Sequence, residues 1–297
     1  MKIFPLVSVL MTAYNREKYI AEAIESVLAS TYTNFELIIV DDGSTDNTVS
    51  IARSFEAIDT RVKVYVNETN LGDYPNRNRA ASYAKGKYLK YLDSDDSIYP
   101  EGLSYCIEEM EKYPNSSFGL SMIDNDSGTS VFMNSEEVIR KHFFQSSHLS
   151  AGPTGMIIKR ELFEKIGGFD PRFYMASDSF FNIHVASISP VVLLKQKFFY
   201  YRIHEGQEQN NPKGYFIYGY LANRNILKTL KLPLTKNEII FLSKKNKKQH
   251  AVALIKHLIF KRKIKDSFFV MKQTDFGFVD IIIGLFYKIS DKFGLKV

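Results

Sequence analysis

Apolar positions in the first hundred residues change period several times, and each change marks an element. Residues 6–11 (LVSVLM) form a short, apolar, β-branched run that reads as a buried strand. From Tyr19 the apolar positions become Tyr19, Ile20, Ala23, Ile24, Val27 and Leu28, which is helical spacing, with Asn15 placed to cap the helix. Residues 35–40 repeat the strand pattern and run into the polar turn Asp41-Asp42-Gly43-Ser44, with Thr45 or Asp46 placed to cap a helix that reaches about residue 55. A strand over 62–66, a helix over 75–85 and a strand over 87–92 follow, the last ending in Asp93-Ser94-Asp95-Asp96. Strands alternating with helices predict an α/β fold with a mostly parallel central sheet flanked by helices. In open sheets of that type ligands bind beyond the carboxyl ends of the strands. The polar clusters at 12–15, 41–44 and 93–96 all fall at such ends.

Beyond about residue 115 the pattern loosens. Residues 152–159 read as a strand, 160–166 as a short helix closed by Gly167-Gly168, and 191–201 as a late strand. From Tyr215 onward the pattern is helical, with a break at Pro233.

Composition adds less. A chain of 297 residues buries a sizeable core without covalent staples. Cys106 is its one cysteine, so there is no intrachain disulfide and no cysteine metal site, which fits a reducing compartment. The N-terminus lacks a basic start followed by a long apolar stretch. The apolar stretch at 276–287 contains Asp280 and is shorter than the roughly 20 residues a membrane span needs. The expectation is a cytoplasmic chain. The net charge of +6 is unevenly placed, since residues 231–297 hold 15 Lys/Arg against 5 Asp/Glu. That asymmetry suits an anionic partner, membrane or nucleic acid; the alternative is a solvated helical face.

The acidic clusters carry the candidate chemistry. Asp93-Ser94-Asp95 beside an anionic ligand makes sense if a hard cation such as Mg²⁺ or Mn²⁺ sits between, taking carboxylate oxygens and leaving positions for phosphate. An acidic surface turn is the plain alternative. Carboxylates in Asp41-Asp42-Gly43-Ser44 could accept hydrogen bonds from a base or ribose, or only shape the turn and cap the helix.

Taken together, residues 6–15 (LVSVLMTAYN), 35–48 (FELIIVDDGSTDNT), Asn70-Leu71-Gly72, Arg77-Asn78 and 91–96 (YLDSDD) resemble, in order and spacing, the family 2 glycosyltransferases of the GT-A fold. The resemblance covers roughly residues 5–205. It implies a GT-A catalytic domain over 1–215, with a nucleotide-binding half at 1–115 and an acceptor-binding half at 116–215, followed by a basic amphipathic helical region over 216–297. Thr12, Tyr14, Asp41, Asp42, Arg77 and Asp93 would hold the nucleotide, and Asp95 the metal, with Asp96 behind it. The family writes Gly and Ile after Arg-Asn, where this chain has Arg79-Ala80-Ala81.

Downstream, residues 167–178 resemble the segment in which the family writes Glu-Asp before an acceptor-side helix; this chain has Ser177-Asp178. Asp178 inherits the role of general base, which inversion requires on the face opposite the leaving nucleotide; a helix cap is its alternative role. Tyr201-Arg202-Ile203-His204, followed by Gln207, resembles a segment that closes over the diphosphate, so Arg202 would meet phosphate and His204 would add a metal ligand. A purely structural histidine is the alternative. The Gln-x-x-Arg-Trp motif of processive synthases is absent, because the chain has no tryptophan. One sugar per acceptor encounter is expected.

The implied function is inverting, metal-dependent transfer of a hexosyl or N-acetylhexosaminyl group from a nucleotide sugar, expected to be UDP-linked. The acceptor would be a glycan or lipid-linked glycan of surface polysaccharide biosynthesis. Basic clusters at 244–248 and 261–265 alternate with apolar helical faces, which suits peripheral attachment to the anionic inner face of a membrane. Packing against the catalytic domain or a second subunit is the alternative, and no nucleic-acid motif is present. Two rival functions remain open: phosphoryl or nucleotidyl transfer, because D-x-D serves that chemistry too, and a non-catalytic sugar-nucleotide binder or assembly protein, which Ser177 in place of glutamate favours.

Overall fold

The computed structural model describes residues 4–122, 128–204 and 212–293. The chain divides into two compact units, residues 1–205 and 206–297, each treated by itself.

The first unit opens with β1 (Val7–Ala13), α1 (Ile20–Leu28), β2 (Phe35–Asp41), α2 (Thr48–Ile58), β3 (Val62–Val66), α3 (Asp73–Ser82) and β4 (Tyr88–Tyr91). It continues through β5 (Ser97–Ile98), α4 (Gly102–Lys112), β6 (Phe118–Ser121), β7 (Val131–Met133), α5 (Ser135–Phe144), β8 (Met156–Lys159), α6 (Arg160–Lys165), α7 (Ser177–Ile188), β9 (Val191–Leu194) and β10 (Phe199–Tyr200). Eight strands form one sheet in the order β3-β2-β1-β4-β8-β6-β9-β7, while β5 and β10 pair separately. The half built from β1 to β4 is wholly parallel. β8 then runs antiparallel to both of its neighbours, and β7 antiparallel to β9. Helices flank this mixed α/β sheet, as the alternation of periods predicts.

β1 and β2 are central strands, which is why they read as near-continuous apolar runs: Val7, Val9, Leu10 and Met11, and Leu37 to Val40, are buried on both faces. α1 buries Ile20, Ala23, Ile24 and Val27 against this core.

Four local expectations need correction. Asn15 does not cap α1; it lies in the left-handed region at φ 52°, and the helix begins five residues later, after Tyr19. Neither Thr45 nor Asp46 is the cap residue of α2, which is Asn47, although Asp46 still accepts from the Thr48 amide at 3.0 Å. Residues 153–155 make a 3-10 turn, so β8 starts only at Met156. The run at 191–201 is two strands, because β9 joins the main sheet whereas β10 turns away to pair with β5.

The second unit contains α8 (Pro212–Thr229), α9 (Lys236–Ile255), α10 (Ile264–Thr274) and α11 (Phe278–Phe293). Pro233 falls in the break between α8 and α9. Ile217, Tyr220, Ala251, Leu254, Val270, Met271, Phe276 and Ile281 form its core. Gly284 lets α11 approach α9, since a Cβ there would lie 2.4 Å from that of Ala251.

Candidate active site

Strand order places the ends of β2, β1 and β4 side by side, and hydrogen bonds stitch the loops that leave them. The Asp42 amide donates to the Ala13 carbonyl at 2.8 Å, and Ser94 Oγ to the Thr12 carbonyl at 2.8 Å. The three polar clusters therefore converge on one sheet edge.

Asp41 closes its own turn. Its Oδ1 accepts from the Gly43 and Ser44 amides at 3.0 and 2.8 Å, and its Oδ2 from Ser44 Oγ at 2.5 Å. Gly43 is required there, because its φ of 81° is costly for any side chain. Asp42 holds the next loop through Asn67 Nδ2 at 2.7 Å and the Leu71 and Gly72 amides at 2.8 and 2.9 Å. Both carboxylates are buried. Tyr14 is exposed beside them, and Thr12 is half-buried.

Arg77, buried on α3, pairs with Asp73 at 2.8 Å and with Asp93 at 2.6 Å. The Asp93 amide donates to Thr154 Oγ1 at 3.0 Å. The carboxylates of Asp93, Asp95 and Asp96 offer oxygens within 4.8 Å of one another. Asp95 Oδ2 lies 2.9 Å from His204 Nε2 and 3.0 Å from Arg16 Nε. Asp96 is buried, and burial together with the Asp93 charge pushes its carboxyl up to about 7. Its Oδ1 accepts from the Arg202 amide at 3.0 Å, while its Oδ2 finds no hydrogen-bond partner among the described residues. Three clustered carboxylates, one of them with an orphaned buried oxygen, and an imidazole are a donor set that fits a divalent cation. Asp95 and His204 would hold it, and a bound ion would supply positive charge to a diphosphate.

The Arg202 guanidinium donates to the Asp95 carbonyl at 3.0 Å and pairs with Glu22 at 2.6 Å, over the Tyr19 ring. His204 stacks on that same ring with centroids 4.8 Å apart. Gln207 lies outside the described residues.

Asp178 reaches the same region from the other half of the unit. The Asn78 side chain of α3 clamps Phe169 through two hydrogen bonds of 2.8 and 2.9 Å, which docks the turn at 167–169. Phe169 packs among Tyr74, Tyr91, Phe163 and Phe181. Ser177 is fully buried and donates to the Asp170 carbonyl at 2.7 Å, setting the start of α7. Asp178 is then the second residue of α7 rather than its cap, which is Ala176. Burial pushes its carboxyl up to about 6, against the opposing pull of the Ser179 amide and the Arg77 cation. The turn containing Gly152 and Thr154 runs between Asp178 and Asp93: a Cβ built on Gly152 would lie 4.0 Å from Asp178 Oδ2, and Thr154 Oγ1 accepts from the Asp93 amide.

Sequence reasoning missed several contributors. Arg16 pairs with Asp95. Lys90 is fully buried under the acidic loop and donates to the Tyr91 and Thr154 carbonyls, both at 2.5 Å, with burial lowering its ammonium to about 8. A lysine in the middle of the strand expected at 87–92 was the available signal. Thr154, Tyr19 and Glu22 carried none.

The family described as glycosyl transferase family 2 matches residues 8–167. A Rickettsia prowazekii protein named "Uncharacterized glycosyltransferase RP339" is 32% identical over 221 residues, covering 69% of this chain and 66% of its own. Chondroitin synthase of Escherichia coli is 39% identical over 112 residues, 38% of this chain and 16% of that enzyme. A Haemophilus influenzae glycosyltransferase is matched over 33% of its length, so the chain spans a third to two thirds of several relatives. Among solved structures, Staphylococcus aureus TarS 1-349 in complex with UDP-GlcNAc is similar with a TM-score of 0.61 and 24% identity, over 87% of this chain and 74% of that one. The mannosyltransferase PcManGT of Pyrobaculum calidifontis, in complex with GDP-Man and Mn²⁺, gives a TM-score of 0.62 at 15% identity, over 98% and 89%. The structural likeness establishes the GT-A fold, and the match over 8–167 establishes the lineage: the chain belongs to glycosyl transferase family 2.

Proposed function

We propose that the chain is an inverting glycosyltransferase that moves one sugar from a UDP-linked donor to a glycan or lipid-linked glycan of a surface polysaccharide. The observation that carries this reading is Arg77, which pairs with Asp93 at 2.6 Å and whose charge also acts on the buried Asp178 carboxyl. A donor held by Thr12, Tyr14, Asp41, Asp42, Arg77 and Asp93 would present its anomeric carbon near the turn containing Gly152 and Thr154. The acceptor hydroxyl oxygen then bonds to the anomeric carbon as the bond to the diphosphate breaks, and Asp178 takes the hydroxyl proton. Arg202 would meet the charge on the leaving diphosphate, and an ion bound by Asp95 and His204 would supply further positive charge there. A base raised to about 6 is still largely ionised at neutral pH and accepts a proton more readily than an ordinary aspartate. The buried Ser177 hydroxyl supports this reading over a non-catalytic binder, since it anchors the helix that presents Asp178.

The test is a thermal-shift screen of nucleotide sugars with Mn²⁺, because a ligand that binds the native state raises Tm. Mass spectrometry of a glycan panel incubated with each stabilising donor follows. Stabilisation by UDP-sugars and a mass increase of one sugar support the proposal. Nucleotide binding without any modified acceptor would leave the binder reading in its place.

The same proposal places the protein on the cytoplasmic face of an anionic membrane through its second unit. No helix among the described residues is long and apolar enough to cross a membrane. α11 packs Ile281 and Gly284 inward and turns Phe278, Val279, Ile282 and Phe286 outward, each more than half exposed. Phe268 of α10 meets Phe278 with ring centroids 6.1 Å apart, extending that apolar face. Lys261, Arg262, Lys263 and Lys265 are exposed just before α10 or in its first turn. An apolar helical face beside a basic cluster suits attachment in the headgroup region.

A further inference from the structure

We propose that Arg16 couples the two halves of the donor site, keeping divalent-metal affinity at Asp95 low until a nucleoside diphosphate is bound. The inference rests on the metal reading of Asp95 and His204 given above and adds the order in which the site fills.

Arg16 Nε donates to Asp95 Oδ2 at 3.0 Å, the same oxygen that lies 2.9 Å from His204 Nε2. A divalent ion bound there would lie within about 5 Å of a fixed guanidinium, and a guanidinium cannot shed its charge. Arg16 is well fixed. Its Nη1 donates to the Tyr14 and Asn15 carbonyls at 3.0 and 3.2 Å, and its amide to Thr48 Oγ1 at 2.7 Å. The metal-free acidic cluster gains a counter-ion from this arrangement, while an incoming metal meets repulsion. A diphosphate reverses the balance, because its oxygens attract both cations at once.

Asp41, on the nucleotide side, accepts from Ser44 Oγ, and that oxygen accepts from the Asn15 amide at 2.8 Å. Asn15 Oδ1 accepts from the Thr45 amide at 2.9 Å, and Asn15 holds its positive φ of 52° immediately before Arg16. One hydrogen-bonded path therefore runs from Asp41 through Ser44, Asn15 and Arg16 to Asp95. Arg16 is a positioning residue on this path as well as a charge.

The test measures Mn²⁺ binding to the full chain by electron paramagnetic resonance, with and without UDP. The wild-type protein is expected to bind Mn²⁺ weakly alone and more tightly with UDP. Arg16→Gln is expected to bind Mn²⁺ alone about tenfold more tightly, from loss of the repulsion, with UDP adding less. Arg16→Lys keeps the charge and is expected to hold Mn²⁺-alone binding near the wild-type value. Ser44→Ala keeps the Arg16 charge but removes the hydroxyl that joins Asp41 to the Asn15 amide, so Mn²⁺-alone binding stays weak while the UDP enhancement falls. Melting curves on each variant check that it is folded. Unchanged or weaker Mn²⁺-alone binding in folded Arg16→Gln overturns the inference while leaving the metal site standing. Wild-type protein that binds no Mn²⁺ even with UDP overturns the metal reading and this inference together.

Discussion

His204 Nε2 and Asp95 Oδ2 lie 2.9 Å apart although 109 residues separate them in sequence. Two donors each about 2.0–2.2 Å from one ion, at right angles, are about 3 Å apart. The pair thus has the bite of two neighbouring ligands. His204→Ala is expected to weaken Mn²⁺ binding in the presence of UDP by at least about tenfold, and Asp95→Asn by more. Calorimetric titration at fixed UDP measures both. Equal Mn²⁺ affinity in His204→Ala and wild type would reduce the histidine to a ring stacked on Tyr19.

Asp178 sets the expected pH profile. Its raised carboxyl must be ionised to take a proton, so the transfer rate should climb as pH rises through about 6 and level off above 7. Asp178→Asn should lose that limb together with all but a trace of turnover, while UDP binding persists. A flat profile between pH 5 and 7, or substantial turnover in the asparagine variant, removes Asp178 from the base role.

The fold was legible where local pattern and burial agree. β1 and β2 are central strands, so their apolar runs stand out, and the acidic clusters follow directly from their ends or from that of β4. The region after 115 was harder, because the register of β8 depends on partners outside its own segment: it inserts antiparallel between β4 and β6. Asn15 misled for a physical reason. Asparagine suits both a helix cap and the left-handed region, and the Ser44–Thr45 loop selects the second. That the carboxylates at 93–96 and His204 lie together was readable from motif order. Thr154 was not, since its role is created by the Asp93 amide 61 residues away. Asp41 and Asp42, expected to hold the nucleotide, each accept backbone amides and so each shapes a loop.

Gly168 links the fold to the base. Its φ is 72°, and a Cβ there would come within 2.5 Å of Asn78 Oδ1 and 3.1 Å of the Phe163 ring. Gly168→Ala therefore strains the backbone and pushes against the Asn78 clamp on Phe169. The expected loss is about 2 kcal/mol or more of stability, read from urea denaturation. Asn78→Ala should reproduce part of this by removing the clamp without the strain. A neutral Gly168→Ala would mean that the turn carrying α7 is far more compliant than its packing indicates.

Attachment through α10 and α11 predicts two components that can be separated. Charge alone gives binding that salt abolishes, because attraction between exposed groups is screened within about 10 Å at 0.1 M salt. Insertion of Phe278, Val279, Ile282 and Phe286 adds a contribution that salt does not remove. The chain lacks tryptophan, so Phe278→Trp gives a single reporter with no background. Its emission should shift to the blue with vesicles containing phosphatidylglycerol, and part of the shift should survive high salt. Phosphatidylcholine vesicles should produce little change, since the exposed basic cluster at 261–265 then has no anionic surface to meet. Ile282→Ser should weaken the salt-resistant part while leaving the salt-sensitive part, as it removes apolar surface and no charge. A blue shift that instead tracks protein concentration without vesicles would assign the face to a second copy of the chain, and size-exclusion chromatography with light scattering would show the dimer.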